Sequence, residues 1–261
     1  MQIAQVSIEF YTLDVLYVCS QKSKVRIVIG LLLSKWKWKL AQALEWRWWQ
    51  YYLAKRPKQE YLNKKRTYWK RMLQEAAVEP QSGERLLDAG CGPAGLFILP
   101  LPAKVDALDP LLELYERTLA HFDPKDYPDV QFIAQPLEAF QPPEPYDKIC
   151  CFNAINHVKD LEISVKRLAD ALRNGGMLII SVDVHKYRWL KKIFQYLPGD
   201  VLHPHQYDTT GYCALFLQQE LTLLRSKTLK NGVIFDYYLM IFEKKEDEEA
   251  KYDRTESPDP G

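Results

Sequence analysis

Leu86-Leu87-Asp88-Ala89-Gly90-Cys91-Gly92-Pro93-Ala94-Gly95 is the stretch whose reading decides the fold. It reads as a short buried strand that ends in a glycine-rich turn and opens into a helix. That helix, Leu96 to Leu99, is short because Pro100 and Pro102 stop it. Gly90, Gly92 and Gly95 stand in G-x-G-x-x-G spacing. Glycine permits a tight turn and lets a ligand press against bare backbone. Nicotinamide, flavin and other nucleotide sites share that spacing, so it names no single ligand. Its neighbours narrow the choice. Asp88 sits at the strand end, just before the first glycine. A second apolar stretch, Val105 to Leu108, ends in Asp109, whose carboxylate is placed to accept hydrogen bonds from both hydroxyls of a ribose. Two further stretches, Tyr146 to Asn153 and Leu172 to Ile180, follow at the spacing of two more strands.

This order of pieces resembles the class I S-adenosylmethionine-dependent methyltransferases, from roughly Gly83 to Lys244. The resemblance implies a doubly wound α/β fold, Rossmann-like, with seven mostly parallel strands and an antiparallel last hairpin. Here an N-terminal helical extension precedes it. S-adenosyl-L-methionine is the implied cofactor. In that family the D-x-G-C-G-x-x-G loop cradles the methionine part, and the acid after strand two binds the ribose. These roles fall on Asp88, Gly90, Gly92 and Asp109, with Cys91, Gly95, Pro110 and Asn153 completing the cofactor set. After strand three the family often carries an acid near the adenine amino group. Pro136 stands there in this chain, leaving Gln135 or the Leu137 backbone for that contact. The glycine pair before strand five matches Gly175-Gly176.

The carboxyl end of strand four reads Asn153-Ala154-Ile155-Asn156-His157-Val158. Open α/β sheets bind ligands at such ends, so Asn153, Asn156 and His157 are candidates to face the transferred methyl. A base is needed only if the acceptor starts protonated. His157 and His205 have the pKa range for that work. His203, Tyr207 and Trp69 are the remaining substrate-side candidates. His203 and His205 lack a third ligand at a demanding spacing, so no metal site is read.

The acceptor expected is a small molecule or lipid-like compound. Two rival functions stay open: a methyltransferase-like module that binds cofactor or partner without turnover, and an NAD-dependent oxidoreductase on a similar fold. A net charge of +1 gives no whole-molecule attraction to nucleic acid. Five scattered cysteines without zinc spacing fit reduced thiols in a cytoplasmic protein, and Cys91 reads as a small packed residue rather than a nucleophile.

Four segments follow along the chain. Residues 1–35 read as a loose extension whose apolar run, Ile27 to Leu33, is far short of the ~20 residues of a membrane span. Residues 36–77 read as a basic, aromatic helical lid. It holds Trp36, Trp38, Trp46, Trp48, Trp49 and Trp69, and its basic residues far outnumber Glu45, Glu60 and Glu75. One helix is expected from Leu40 to Ala54 and another from Gln59 to Ala77, with Pro57 between them. On the second, Tyr61, Leu62, Tyr68, Trp69, Met72 and Leu73 face inward. Lys64, Lys65, Arg66, Lys70 and Arg71 take the opposite face. This segment reads as a helix pair docked on the core, as a cap over cofactor and substrate, or as a peripheral membrane contact. Residues 78–245 form the S-adenosylmethionine-binding domain. Residues 246–261 read as a disordered acidic tail. Within the domain, helices are expected from Leu111 to His121, Leu161 to Leu172 and Gly211 to Gln219. Asn231-Gly232 marks the final hairpin.

Overall fold

Strand β1 (Arg85–Ala89) is buried from Leu86 onward. Leu86 packs into one hydrophobic cluster, while Leu87 and Ala89 pack into another on the opposite face. A strand covered on both faces is the mark of a central position in an α/β sheet. The coordinates are a computed structural model that describes residues 36, 38–185, 207–232 and 235–246. The chain divides into two compact units, Met1–Leu44 and Glu45–Gly261. The described residues of the first are helical.

In the second unit, helix α1 covers residues 45–54 and α2 covers Lys58–Ala76, with Pro57 in extended geometry between them. Ala77 closes α2 in the left-handed region, its N–H reaching the carbonyls of Leu73 and Gln74. Strand β2 is Lys104–Leu108, β3 is Gln131–Ile133, β4 is Tyr146–Phe152 and β5 is Leu172–His185. Helix α3 (Leu112–Thr118) follows β2, and α4 (Leu161–Asp170) follows β4. Helix α5 (Thr209–Leu217) leads to β6 (Leu221–Lys230) and β7 (Phe235–Lys244). Asp160 caps α4 by accepting from the Ile163 N–H at 3.1 Å, and Asp208 caps α5 through the Gly211 N–H at 2.8 Å.

The strands form one sheet in the order β3-β2-β1-β4-β5-β7-β6. The first five strands are parallel; β7 runs antiparallel to β5, and β6 antiparallel to β7. The order reverses between β1 and β4, which opens a crevice at their carboxyl ends. Helices α2 and α3 supply the cluster on one face of the sheet, α4 and α5 that on the other. No helix among the described residues is long and apolar enough to cross a membrane.

The structure corrects several sequence-based expectations. No α-helix follows the glycine loop; two 3₁₀ turns, Gly92–Ala94 and Leu96–Ile98, take its place. With Pro93 inside the first turn and Pro100 close behind the second, the segment has no room for an α-helical ladder. The helix expected from Leu111 to His121 is only Leu112–Thr118. Gly175-Gly176, expected before strand five, lies inside β5 together with Asn174. There Leu172 pairs with Tyr146 before the register shifts, and Gly175 takes a φ of +68°. Residues 1–35, expected to be a loose extension, and the tail beyond Glu246, expected to be disordered, lie outside the described residues.

Candidate active site

The glycine loop is tied down by backbone alone. The Gly90 and Cys91 N–H groups both donate to the Leu108 carbonyl, at 2.7 and 3.1 Å, which fastens the loop to the end of β2. Gly90 has a φ of +72°, and a Cβ there would stand 2.2 Å from the Ala154 Cβ. Only glycine lets the loop pass the β4 end so closely. The Gly92 N–H donates to Asp109 Oδ2 at 3.0 Å, and the Leu111 N–H donates to Oδ1 at 2.8 Å. Bare backbone and carboxylate therefore meet in the crevice beside β1. Asp88 lies beneath the loop, its Oδ2 accepting from the Phe97 N–H at 3.4 Å.

Three carboxylates crowd this corner. Burial raises Asp109 to about 7, and the neighbouring Glu45 charge adds to the effect; the Leu111 and Gly92 N–H groups pull the other way. Burial also raises Asp88 to about 7, against the Phe97 and Leu96 N–H groups and the Lys65 charge. Burial raises Glu45, which stands beside Trp49 and Tyr115. The Trp49 ring lies 3.6 Å from where a Gly92 Cβ would be, and packs edge-on to Tyr115 at 6.4 Å. Burial and the Asp88 and Asp109 charges hold the Cys91 thiol well above its usual range, which keeps it protonated.

A cavity of about 640 Å³ opens at the carboxyl ends of β4 and β5, where Asn153 and Asp183 line it. Tyr61, Lys65, Tyr68 and Arg71 of α2 form one wall. Tyr52, Lys55 and Arg56 contribute from α1 and the turn behind it, and Leu229, Lys230 and Tyr237 from the final hairpin. A volume of this size suits a small organic molecule. One hydrogen-bond chain crosses its floor. The Asn153 N–H donates to Ser181 Oγ at 3.1 Å, Ser181 Oγ meets the Tyr237 hydroxyl at 2.6 Å, and Tyr237 meets the Tyr68 hydroxyl at 3.1 Å. Burial pushes both phenols upward, so they remain neutral hydrogen-bonding groups. Among the described residues no group of three or more His, Cys, Asp and Glu is placed to hold a metal ion.

The structure sorts the candidates from sequence. Asp88, Gly90, Cys91, Gly92, Gly95 and Asp109 come together. A Cβ on Gly95 would fall 2.2 Å from Asp88 Oδ2. Pro110 is exposed immediately after Asp109, Gln135 is half-buried after β3, and Leu137 is buried at the start of a 3₁₀ turn. Asn153 is exposed, with a left-handed φ of +50°, and lines the cavity. Asn156 is buried, its Oδ1 without a hydrogen-bond partner among the described residues. His157 is half-buried in the turn Ile155–His157 and is not part of the cavity lining. Trp69 is buried; its Nε1 donates to the Ala94 carbonyl at 2.8 Å and its ring stacks on Phe152 at 5.5 Å. That contact braces the glycine loop from above. Tyr207 is half-buried against Tyr212. His203 and His205 fall outside the described residues.

Sequence reasoning missed Glu45, Trp49, Tyr68, Ser181 and Tyr237 as site residues. It also assigned Lys65 and Arg71 to a solvent face, whereas both line the cavity. The available signal was helical spacing, Lys65 at i+4 from Tyr61 and Arg71 at i+3 from Tyr68, and the neighbouring lysines masked it.

An open α/β sheet with an acid meeting the glycine loop at the switch point defines a nucleoside-binding architecture, and the antiparallel final pair gives it the class I methyltransferase form. A family model described as a methyltransferase domain matches residues 60–231, and the chain belongs to that family. Among similar proteins is the ubiquinone biosynthesis O-methyltransferase of Bradyrhizobium sp. (strain ORS 278), 31% identical over 103 residues, which are 38% of this chain and 40% of that protein. The protein of the same name from Xylella fastidiosa (strain 9a5c) is 35% identical over 107 residues, 39% of this chain and 43% of that protein. The chain thus spans about 40% of the length of the curated relatives it matches. Among solved structures, YcgJ of Bacillus subtilis has the same fold, with a TM-score of 0.56 and 15% identity over 67% of this chain and 97% of that one. The N-methyltransferase NodS from Bradyrhizobium japonicum WM9 gives 0.51 and 14% over 74% of this chain and 99% of that one.

Proposed function

We propose that this protein is an S-adenosylmethionine-dependent methyltransferase acting on a small organic acceptor. The observation that carries the reading is the Gly92 N–H on Asp109, at 3.0 Å, on the sheet whose β4 and β5 ends carry the cavity of about 640 Å³. The residues present fit the cofactor. Asp109 would take the two ribose hydroxyls, and the Gly90–Gly92 backbone would lie along the amino-acid end. A cationic ligand would draw the raised carboxyls Glu45, Asp88 and Asp109 back toward their ionised forms. S-adenosylmethionine supplies, when bound, a methyl group already activated by its sulfonium. The protein's part is to hold the acceptor in line and keep water out. Asn153 and the Ser181–Tyr237–Tyr68 chain would orient the acceptor. For an acceptor that starts protonated, the described candidate for the base is His157, which follows the β4 end outside the cavity lining.

The same corner speaks against a nicotinamide dinucleotide. A pyrophosphate needs a helix N-terminus and bare N–H groups. Here 3₁₀ turns follow the loop, and three carboxylates surround it. Calorimetry with S-adenosylhomocysteine and with NAD separates these ligands. Binding of the first alone is expected, followed by label transfer from [methyl-³H]S-adenosylmethionine into the small-molecule fraction of a cell extract. Binding of NAD alone, or label entering only folded protein or nucleic acid, would overturn the reading. Saturable cofactor binding with no labelled product from any fraction would favour the non-catalytic module instead.

A peripheral membrane contact has one specific support. Trp48 and Tyr51 of α1 are 49% and 77% exposed beside the cationic Arg47. Aromatic and basic side chains on one helix suit a lipid interface. Co-sedimentation with anionic liposomes should fall severalfold for the Trp48→Ser/Tyr51→Ser variant; equal pelleting removes the idea.

A further inference from the structure

The charge around the cavity is lopsided. Lys55, Arg56, Lys64, Lys65, Arg71 and Lys230 line it, against the two carboxylates Glu60 and Asp183. Some of this charge is already engaged. Lys64 pairs with Glu60 at 2.6 Å, and Arg56 stacks on the Tyr52 ring at 3.7 Å while bonding the Tyr52 carbonyl. Lys65 is different. It is half-buried, and among the described residues it makes no ion pair or hydrogen bond. Its ammonium rests on aromatic faces only, 4.3 Å from the Trp69 ring centroid and 5.2 Å from that of Tyr68. Arg71 lies on the same Tyr68 ring, 5.8 Å from its centroid. Cation–π contact compensates a desolvated ammonium only in part. Burial accordingly lowers Lys65 to about 8, with Asp88 pulling the other way. A charge held this way gains from an anion delivered into the cavity.

The aromatic content of the same wall sets the rest of the ligand. Tyr61, Tyr68 and Tyr237 line the cavity beside Tyr52, whose ring is already stacked against Arg56 and Trp48, giving aromatic surface with polar edges. We propose that the cavity takes a small aromatic carboxylate, its ring against these tyrosines and its carboxylate against Lys65 and Arg71. The inference treats the cavity as the acceptor site and so rests on the methyl-transfer reading. It narrows the acceptor to an anionic aromatic compound and places the selecting charge on α2.

The test is calorimetry on the full chain with naphthalene-2-carboxylate and its neutral counterpart, naphthalene-2-carboxamide. Each is titrated with and without saturating S-adenosylhomocysteine. Wild type should bind the carboxylate at least about tenfold more tightly than the amide. Lys65→Met should bring the two within about twofold, and Lys65→Arg should restore the preference. A purely structural role for Lys65 would lower both affinities together and leave their ratio unchanged. Should Lys65→Met fail to fold, Arg71→Met carries the same comparison. Equal binding of carboxylate and amide by wild type overturns the proposal. So does a ratio that survives both substitutions, or no binding of either probe while S-adenosylhomocysteine binds normally. Loss of S-adenosylhomocysteine binding with the carboxylate preference intact would instead strike the methyl-transfer reading.

Discussion

Replacing Asp109 with alanine should weaken S-adenosylhomocysteine binding by about 100- to 1,000-fold while leaving the sheet intact. Asp109 follows β2 directly, and its carboxylate is fixed by two backbone N–H groups, from Gly92 at 3.0 Å and Leu111 at 2.8 Å. A carboxylate so held meets two hydroxyls without further ordering. Hydrogen bonds to a charged group contribute about 1.5–3 kcal/mol each, so losing two near the lower end of that range, about 3–4 kcal/mol together, gives the stated effect. The pH dependence has a definite sign. Only the ionised acid accepts from both hydroxyls, and the free group titrates at about 7. Affinity should therefore be about tenfold lower at pH 6 than at pH 8, and the Asp109→Asn variant should be weak and flat across that range. Stability without ligand runs the other way. The folded value lies above the ordinary 3.8, so the folded state holds the proton more tightly between about 4 and 7. The contribution of Asp109 to stability falls as pH rises through that window and is level above it. The difference in Tm between wild type and Asp109→Asn, followed from pH 5 to 8, reads this directly. A wild-type affinity that is flat between pH 6 and 8 would remove Asp109 from the ribose site.

Gly90→Ala carries the second large effect, through two penalties at one position. An L-residue at a φ of +72° costs about 1–2 kcal/mol. The added methyl would then lie 2.2 Å from the Ala154 Cβ, and such overpacking costs about 1–3 kcal/mol more. Urea unfolding should show a loss of about 2–5 kcal/mol, with no measurable cofactor binding at ordinary titration concentrations. The two penalties separate in a double mutant. Ala154→Gly in the Gly90→Ala background removes the methyl–methyl clash but leaves the dihedral strain. It should recover the overpacking part alone. Full recovery would mean that the left-handed turn costs nothing here; no recovery would mean that Ala154 is not what the loop passes. Gly92 offers a contrast. Its φ is +59°, but the nearest atom to a new Cβ is on Trp49 at 3.6 Å, so alanine there costs strain without collision.

The pairing of glycine loop and acid was legible because it is short-range. Asp88, Gly90, Gly92 and Asp109 fall within two consecutive strands and the turn between them, and β1–β2 pairing brings them together. Burial on both faces of β1 was legible for a similar reason: its run of apolar residues fits nothing but a central strand. What sequence left open was the side of each helix that the sheet would take. The three aromatic residues of α2, Tyr61, Tyr68 and Trp69, share one face, and Lys65 falls among them at i+4 from Tyr61 and i−4 from Trp69, a placement that the run of neighbouring basic residues masked. Trp69 was read as a substrate contact from its neighbourhood, yet the Ala94 carbonyl and Phe152 claim its ring. The start of β5 was hidden by Asn174-Gly175, whose turn chemistry is real but is spent on a bulge inside the strand. The hydroxyl chain through Ser181, Tyr237 and Tyr68 joins three elements far apart in sequence. No local pattern announces it.

Helix α2 is anchored along its whole length. Lys58 pairs with Asp126 at 2.9 Å near its start, Trp69 grips the Ala94 carbonyl at its middle, and Glu75 receives Lys227 while its carbonyl takes Arg225 near its end. Moving it outward would break contacts to a loop, to the glycine turn and to the edge strand at once. It is therefore a wall and not a door, and the traffic of substrate and product falls to other parts of the chain.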